Sequence, residues 1–417
     1  MTMPLMRPPR KNPVRRTRQM NVPPWARGRV ALSLTAAAAE GRFELQLCRD
    51  CGRVQYPPRE ACGHCTSPRL QWRAQSGAGE LLALTTLHHS NDLFFRERLP
   101  WRLGLVQLDA GPTVVTHLHG DVTAAPARVS VGARLDRAGR AVLIAFPPEE
   151  TPHMADDPML REMSCDPRMR KLLVTDGMTT VGQAAVRALV KAGADLVWVG
   201  HAEPWKRHGS GLDDIASLPQ VTLVPLDLSN ERSVTELAGE IGGKVDIVIN
   251  NAEVHRAFGI GARRGTDAAR AEMEINYFGA LRLAQAFGPA LKGRAADGAL
   301  HATAWVNVLS IYALANFPPH GTFSASKAAA HSLAQCLRAE MRPAGIRVIN
   351  VFPGPIDDDW NQNLPPPKLA PEALAKAIVK GLRDGVEDVY PGDVAQEWLE
   401  RWRDDPRVLQ RELAAGG

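Results

Sequence analysis

Four cysteines carry the clearest chemistry in this sequence. Cys48 and Cys51 bracket two residues in LCRDCG, and Cys62 and Cys65 repeat that spacing in ACGHC after a ten-residue loop. Each Cys-x-x-Cys knuckle can present two thiolates to one tetrahedral ion, and two knuckles close the shell, so the spacing predicts a structural zinc site. Four sulfurs leave no open coordination position, so no catalysis is assigned to the metal. His64, inside the second knuckle, is read as a loop residue. His117 and His119 in THLHG would share one face of a strand, but with no third ligand nearby they are read as a surface pair. Cys165 and Cys336 are isolated. This cysteine usage suits a reducing cytoplasm, not a disulfide scaffold.

The elements that must position such groups fall into two halves with different rhythms. From Phe43 to Phe146 the runs LLALTTLHH, LGLVQLD, TVVTHLHG and AVLIAF are short, β-type and separated by turn residues, which predicts a small all-β barrel. From Lys171 onward, apolar runs such as KLLVTDG, ADLVWVG, VDIVINNA and IRVINVF alternate with amphipathic helical segments. That alternation specifies an α/β fold, a doubly wound parallel sheet covered by helices on both faces. The expected organisation is a disordered basic tail (1–30), a helix plus zinc ribbon (31–75), a barrel (76–148), a linker (149–170), the α/β domain (171–395) and a C-terminal helix (396–417).

The chain has 417 residues, 45% hydrophobic and 23% charged, as in ordinary globular proteins. Its net charge of +5 is misleading until it is located. Eight cationic side chains and no acid lie in the first 39 residues, so the rest of the chain carries −3. The tail is read as solubilising, and the prolines after RRTRQ argue against an export signal. No apolar run is long enough for a membrane span.

The arrangement EGRFELQLCRDCG, YPPREACGHC and W-x-x-x-x-G-x-G resembles the zinc-ribbon plus OB-fold family of acyl-CoA-associated proteins, over about residues 25–148. The resemblance implies a thiolase or aldolase partner. An OB-fold can also bind single-stranded nucleic acid, but no lysine lies between Glu80 and Phe146, and that role is set aside.

Residues 171 to about 395 resemble the short-chain dehydrogenase/reductase family, with a Rossmann-type sheet and an NAD(P) cleft implied. The family's T-G-x-x-x-G-x-G turn reads TDGMTTVG, keeping Thr175 and Gly182 but placing Asp176 and Thr180 at glycine positions. Asp227 matches the adenine-side aspartate. Asn250, Asn251 and Ala252 match Asn-Asn-Ala, with Glu253 in place of the last glycine. Pro353, Gly354 and Ile356 match the nicotinamide loop, where Asp358 replaces the usual threonine. The catalytic set implied is Asn276, Ser310 and Lys327, with Phe323 where the proton-donating tyrosine belongs. Phe323 and Lys327 share a helix face at i, i+4 spacing. Structural roles for the retained residues are equally open: Asn276 bracing a helix kink, Ser310 capping a strand end, Lys327 solvated or paired with Asp357 or Asp358.

Every departure falls on the cofactor or the proton donor, and a carboxylate at Asp176 weighs against NAD(P). The expected function is an accessory or scaffold subunit in acyl-CoA thioester metabolism with an impaired dehydrogenase-like domain, forming homo- or hetero-oligomers, one of them with an active short-chain dehydrogenase. The alternatives are an active NAD(P)-dependent oxidoreductase of hydroxyacyl- or ketoacyl-CoA, with Tyr312 or water as proton donor, and a dinucleotide sensor.

Overall fold

The computed structural model describes residues 2–6, 22–24, 28–202, 210–256, 259–262, 264–296 and 303–415. Most of the basic tail is therefore outside the described residues. At its start, the Thr2 N–H donates to the Asp121 carboxylate and the Leu5 N–H to Asp156 at 3.3 Å.

The ribbon is a three-stranded antiparallel sheet, β1 (Glu44–Cys48), β2 (Val54–Gln55) and β3 (Leu70–Ala74), in the order β2-β1-β3. Five strands then close a barrel in the order β4-β5-β6-β8-β7: β4 (Ala78–Leu87), β5 (Trp101–Leu108), β6 (Thr113–Leu118), β7 (Ala127–Leu135) and β8 (Ala141–Phe146). Alternating burial along β6 and β7 puts Val114, Leu118, Val129 and Val131 inside. The Leu32–Ala39 helix adds Leu34 and Ala38 to that core. Gly104 is required there, because a Cβ would stand 2.6 Å from both Leu81 and Leu118. Sequence reading finds four of the five strands. It misses β7, whose small and polar residues dilute the apolar signal.

The second half is a seven-stranded parallel sheet: β9 (Lys171–Val174), β10 (Leu196–His201), β11 (Val221–Pro225), β12 (Ile247–Asn250), β13 (Ala304–Val308), β14 (Arg347–Val351) and β15 (Asp388–Val389). The order is β11-β10-β9-β12-β13-β14-β15. Strands β12, β13 and β14 are buried at every residue, as expected for strands covered on both faces. The order reverses between β9 and β12, and a crevice opens beyond their C-terminal ends.

Two expectations need correction. Residues 149–170 are not a bare linker. They contain the Pro158–Met163 helix, capped by the Asp157 side chain, and bury Asp156, Arg161, Asp166 and Arg170 in a polar seam between the halves. Arg168 pairs with Asp156 at 2.7 Å and Arg98 with Glu162 at 3.0 Å. The C-terminal helix is in fact two, Asp393–Asp404 and Pro406–Ala415, because Pro406 cannot donate to a continuing helix and Asp405 turns extended. Among the described residues, no helix is long and apolar enough to cross a membrane.

Arg347, at the start of β14, bolts the halves together. Its guanidinium donates to Met163 O at 2.8 Å, Gly385 O at 2.6 Å, Leu135 O at 3.0 Å and Asp136 O at 2.8 Å. Gly385 has φ +63°, and a Cβ there would meet Met163 O at 2.2 Å, so the approach depends on glycine. Arg347→Met orphans four carbonyls and is expected to cost about 3–5 kcal/mol. Urea unfolding checks this, with barrel and α/β domain separating into two transitions.

Candidate functional site

The zinc knuckles converge as their spacing requires. Cys48 and Cys65 sulfurs are 3.6 Å apart, as are those of Cys51 and Cys62, and all four lie within 4.8 Å of one another. Four sulfurs bonded tetrahedrally to zinc at about 2.3 Å stand ~3.8 Å apart, so the cluster fits that ion. Backbone N–H groups of Cys65 and His64 hold the Cys62 thiol down to about 6, easing its ionisation. His64 thus acts through its main chain. The histidine pair dissolves: His117 accepts from Trp101 Nε1 at 3.0 Å, and His119, fully buried, bonds Met154 O at 2.9 Å.

The crevice of the sheet is built from the ends of β9 and β12. Thr175 Oγ1 accepts the N–H groups of Asn251 (3.0 Å) and Ala252 (3.1 Å) and lies 3.3 Å from Asn250 Oδ1. Asn251 returns the link, accepting from Asp176 N–H at 3.0 Å and donating to Asp176 O at 2.7 Å. The Thr180–Lys191 helix starts immediately afterward. Gly182 is obligatory, since a Cβ would sit 1.8 Å from Asp176 O. Two of the turn's donors are already engaged by side chains. Asp176 Oδ1 accepts the Met178 N–H at 2.7 Å, and Thr179 Oγ1, the helix cap, accepts the Gly182 N–H at 3.1 Å.

Lys327 is 2% exposed and neither solvated nor paired with Asp357 or Asp358. It pairs with Glu253 at 2.7 Å and donates to Val308 O at 3.1 Å. Asp358 instead caps a short turn, accepting from Trp360 N–H at 3.1 Å and Asn361 N–H at 3.2 Å. Asn276 sits in a π-helical turn, Glu274–Gly279, and ties that turn to Val254 and to Ser326. Ser310 accepts the Tyr312 N–H at 3.2 Å. Asp227 closes its own turn on Ser229 at 2.9 Å. In the last loop, Pro353 O accepts the Ile311 N–H at 2.9 Å, Gly354 lies against Val394, and Ile356 is buried beside Leu369.

Phe323 is buried under a residue that sequence reading did not single out. The His255 ring stacks on it at 3.8 Å and 18°, and His255 Nε2 bonds His320 Nδ1 at 3.0 Å. Burial pushes the His255 pKa down to about 4, so the imidazole is neutral at pH 7. Tyr312 meets the Phe323 ring edge-on at 6.4 Å, stacks on Phe317 and packs against Trp398 of the Asp393–Asp404 helix. Burial raises the Tyr312 pKa, which makes it a poorer acid than an ordinary phenol.

Beside the turn lies a cavity of about 370 Å³, lined by Met178, Thr180, Asn251, Glu253, Asp358, Asp359 and Trp360 among others, with no lysine or arginine in its described wall. Burial pushes the Asp176 carboxyl up to about 6, with the Glu253 charge adding to it, and burial also raises Asp358. A pyrophosphate would meet a turn with two of its N–H groups engaged and a wall carrying Glu253, Asp358 and Asp359, so the residues as they stand fit a dinucleotide poorly. The folded pKa of Asp176 lies above the ordinary carboxylate value of about 3.9, so ionisation costs more in the folded protein. That cost is absent below about pH 4 and grows until pH passes 6. Asp176→Asn keeps an acceptor for Met178 and removes the charge. The expected outcome is a gain of about 1–2 kcal/mol at pH 8 and none at pH 4, read by urea denaturation.

Comparison with known proteins assigns each part. Residues 35–71 match the ChsH2 rubredoxin-like zinc ribbon domain, residues 72–140 the ChsH2 C-terminal OB-fold domain and residues 170–368 the short chain dehydrogenase family. Mouse dehydrogenase/reductase SDR family member 7B is 32% identical over 205 residues, which are 46% of this chain and 59% of that protein. An uncharacterized oxidoreductase of Staphylococcus aureus USA300 is 29% identical over 50% of this chain and 89% of its own length. A short chain dehydrogenase from Burkholderia cenocepacia J2315, solved in complex with NADP, is 36% identical, with a TM-score of 0.53 over 59% of this chain and 98% of that one. The chain is a fusion in which a ChsH2-type zinc ribbon and OB-fold precede a domain of the short chain dehydrogenase family.

Proposed function

We propose that the chain is an accessory subunit in the metabolism of acyl-CoA thioesters, with the ribbon and barrel docking a thiolase or aldolase and the dehydrogenase-like domain serving as a catalytically silent scaffold in a reducing cytoplasm. The observation that carries the silent half is Phe323, a ring without a hydroxyl, covered by His255 and Tyr312. General acid catalysis supplies about 10²–10⁴-fold in such chemistry, and the two rings that cover Phe323 are poor replacements. His255 is neutral and 2% exposed, and Tyr312 is 3% exposed with a raised pKa.

The docking half is supported by an apolar row on the outside of the barrel. Leu105 faces Ala83 on one side and Val115 on the other, and Leu82, Leu105 and Val115 are all exposed. Outward-facing alanine, leucine and valine in register across three strands, with Leu82 beside them at the bulge, form the kind of patch that a protein partner covers. The retained fold of the second half supports assembly with an active short-chain dehydrogenase, since Phe278, on the turn that carries Asn276, is also exposed.

Affinity purification of the tagged, zinc-loaded chain with mass spectrometry tests the docking. A thiolase or aldolase is expected with the wild type and is expected to fall at least about tenfold with a Leu105→Asp, Val115→Asp double variant. Equal recovery with the variant, or recovery of neither enzyme class, would sink the reading. For the silent half, Phe323→Tyr is expected to remain without 3-ketoacyl-CoA-dependent NADPH oxidation. Turnover in the wild type would instead favour an active oxidoreductase.

A further inference from the structure

At a strand-order reversal, an open α/β sheet offers an anion the N–H groups of a helix N-terminus. In this chain side-chain oxygens already sit on two of the N–H groups at that turn. Asp176 Oδ1 holds the Met178 N–H, and Thr179 Oγ1 holds the Gly182 N–H. The retained lysine is likewise taken, with Glu253, which lines the cleft, on Lys327 at 2.7 Å. These groups are held in place by their backbone. Both main-chain groups of Asp176 are bonded to the Asn251 side chain, which fixes the backbone from which its carboxylate reaches the Met178 N–H. Lys327 is too deeply buried to be left without an anion.

We propose that Asp176 and Glu253 are built-in anions that substitute for the phosphate charge of a dinucleotide, satisfying the turn and Lys327 from within the chain and excluding NADP(H) from the cleft. Two consequences follow. The domain needs no cofactor to order its glycine-rich turn, and the capacity to bind one is latent in the backbone. The inference is independent of the docking reading, because an accessory subunit could bind a cofactor and a cofactor-free domain need not dock.

The test is a fluorescence titration of NADPH into the zinc-loaded full chain, as wild type and as a D176G, E253G double variant. The wild type is expected to show no saturation up to about 1 mM. At an effective dielectric near 20, each carboxylate removed at about 8 Å from a phosphate is worth ~30-fold in affinity, so the double variant is expected to bind in the micromolar range. Circular dichroism and zinc content establish that the variant is folded. A folded, zinc-replete variant with no gain overturns the proposal, as does micromolar binding by the wild type.

Amide hydrogen exchange on the wild type decides the matter even if the variant fails to fold. Slow exchange at Met178 and Gly182, unchanged by 1 mM NADPH (roughly the concentration where weak phosphate binding would register), supports internal occupancy. Fast exchange that NADPH slows overturns it.

Discussion

A buried ammonium needs an anion, and much of the second half follows from how that need is met. Lys327 lies in the second turn of the Gly321–Met341 helix, 2% exposed, donating to Val308 O and with Glu253 as its counter-ion. Removing one partner of such a pair leaves a buried charge at a cost of about 3–5 kcal/mol. Glu253 must therefore stay inward, and its charge helps to raise the Asp176 and Asp358 carboxyl pKa values. The same inward loop delivers His255 onto the Phe323 ring. One ion pair thus links the acidic cleft to the occlusion of the position where a proton donor would stand.

The two halves are joined by comparable physics at another place. Arg347 gathers four carbonyls from the barrel, the segment between the halves and the α/β domain. The Ala39 carbonyl accepts the Glu387 N–H at 2.7 Å, and Cys165 N–H bonds Leu382 O at 2.7 Å. Buried hydrogen bonds of this kind make the barrel a fixed platform on the sheet. A surface such as the Ala83, Leu105 and Val115 row is then presented in a defined orientation relative to the dehydrogenase-like domain.

Sequence reading succeeded where the determining interactions are local. The cysteines announce their site because each knuckle is a short chain segment, and the parallel strands announce theirs by continuous apolar runs. The segment 149–170 misled because its contacts are remote: Met163 meets Arg347, and Arg98 meets Glu162. Strand β7 is hard to read because ARVSVGARL owes its register to neighbours β4 and β8, not to its own hydrophobicity. Sequence proximity points Lys327 toward Asp357 and Asp358, whereas its partner is the more distant Glu253. The carboxylate in the glycine position of Asn-Asn-Ala-Glu was the available signal, since an acid gained beside a retained lysine is a natural counter-ion. His255 gave no such signal, for its stacking depends on that loop turning inward.

A crystal structure of the zinc-loaded protein grown in millimolar NADPH tests the account most directly. The account predicts Glu253 within salt-bridge distance of Lys327, Asp176 on the Met178 N–H and no dinucleotide in the cleft. A dinucleotide lying along the turn, with Glu253 displaced and Lys327 turned toward the ligand, would contradict it.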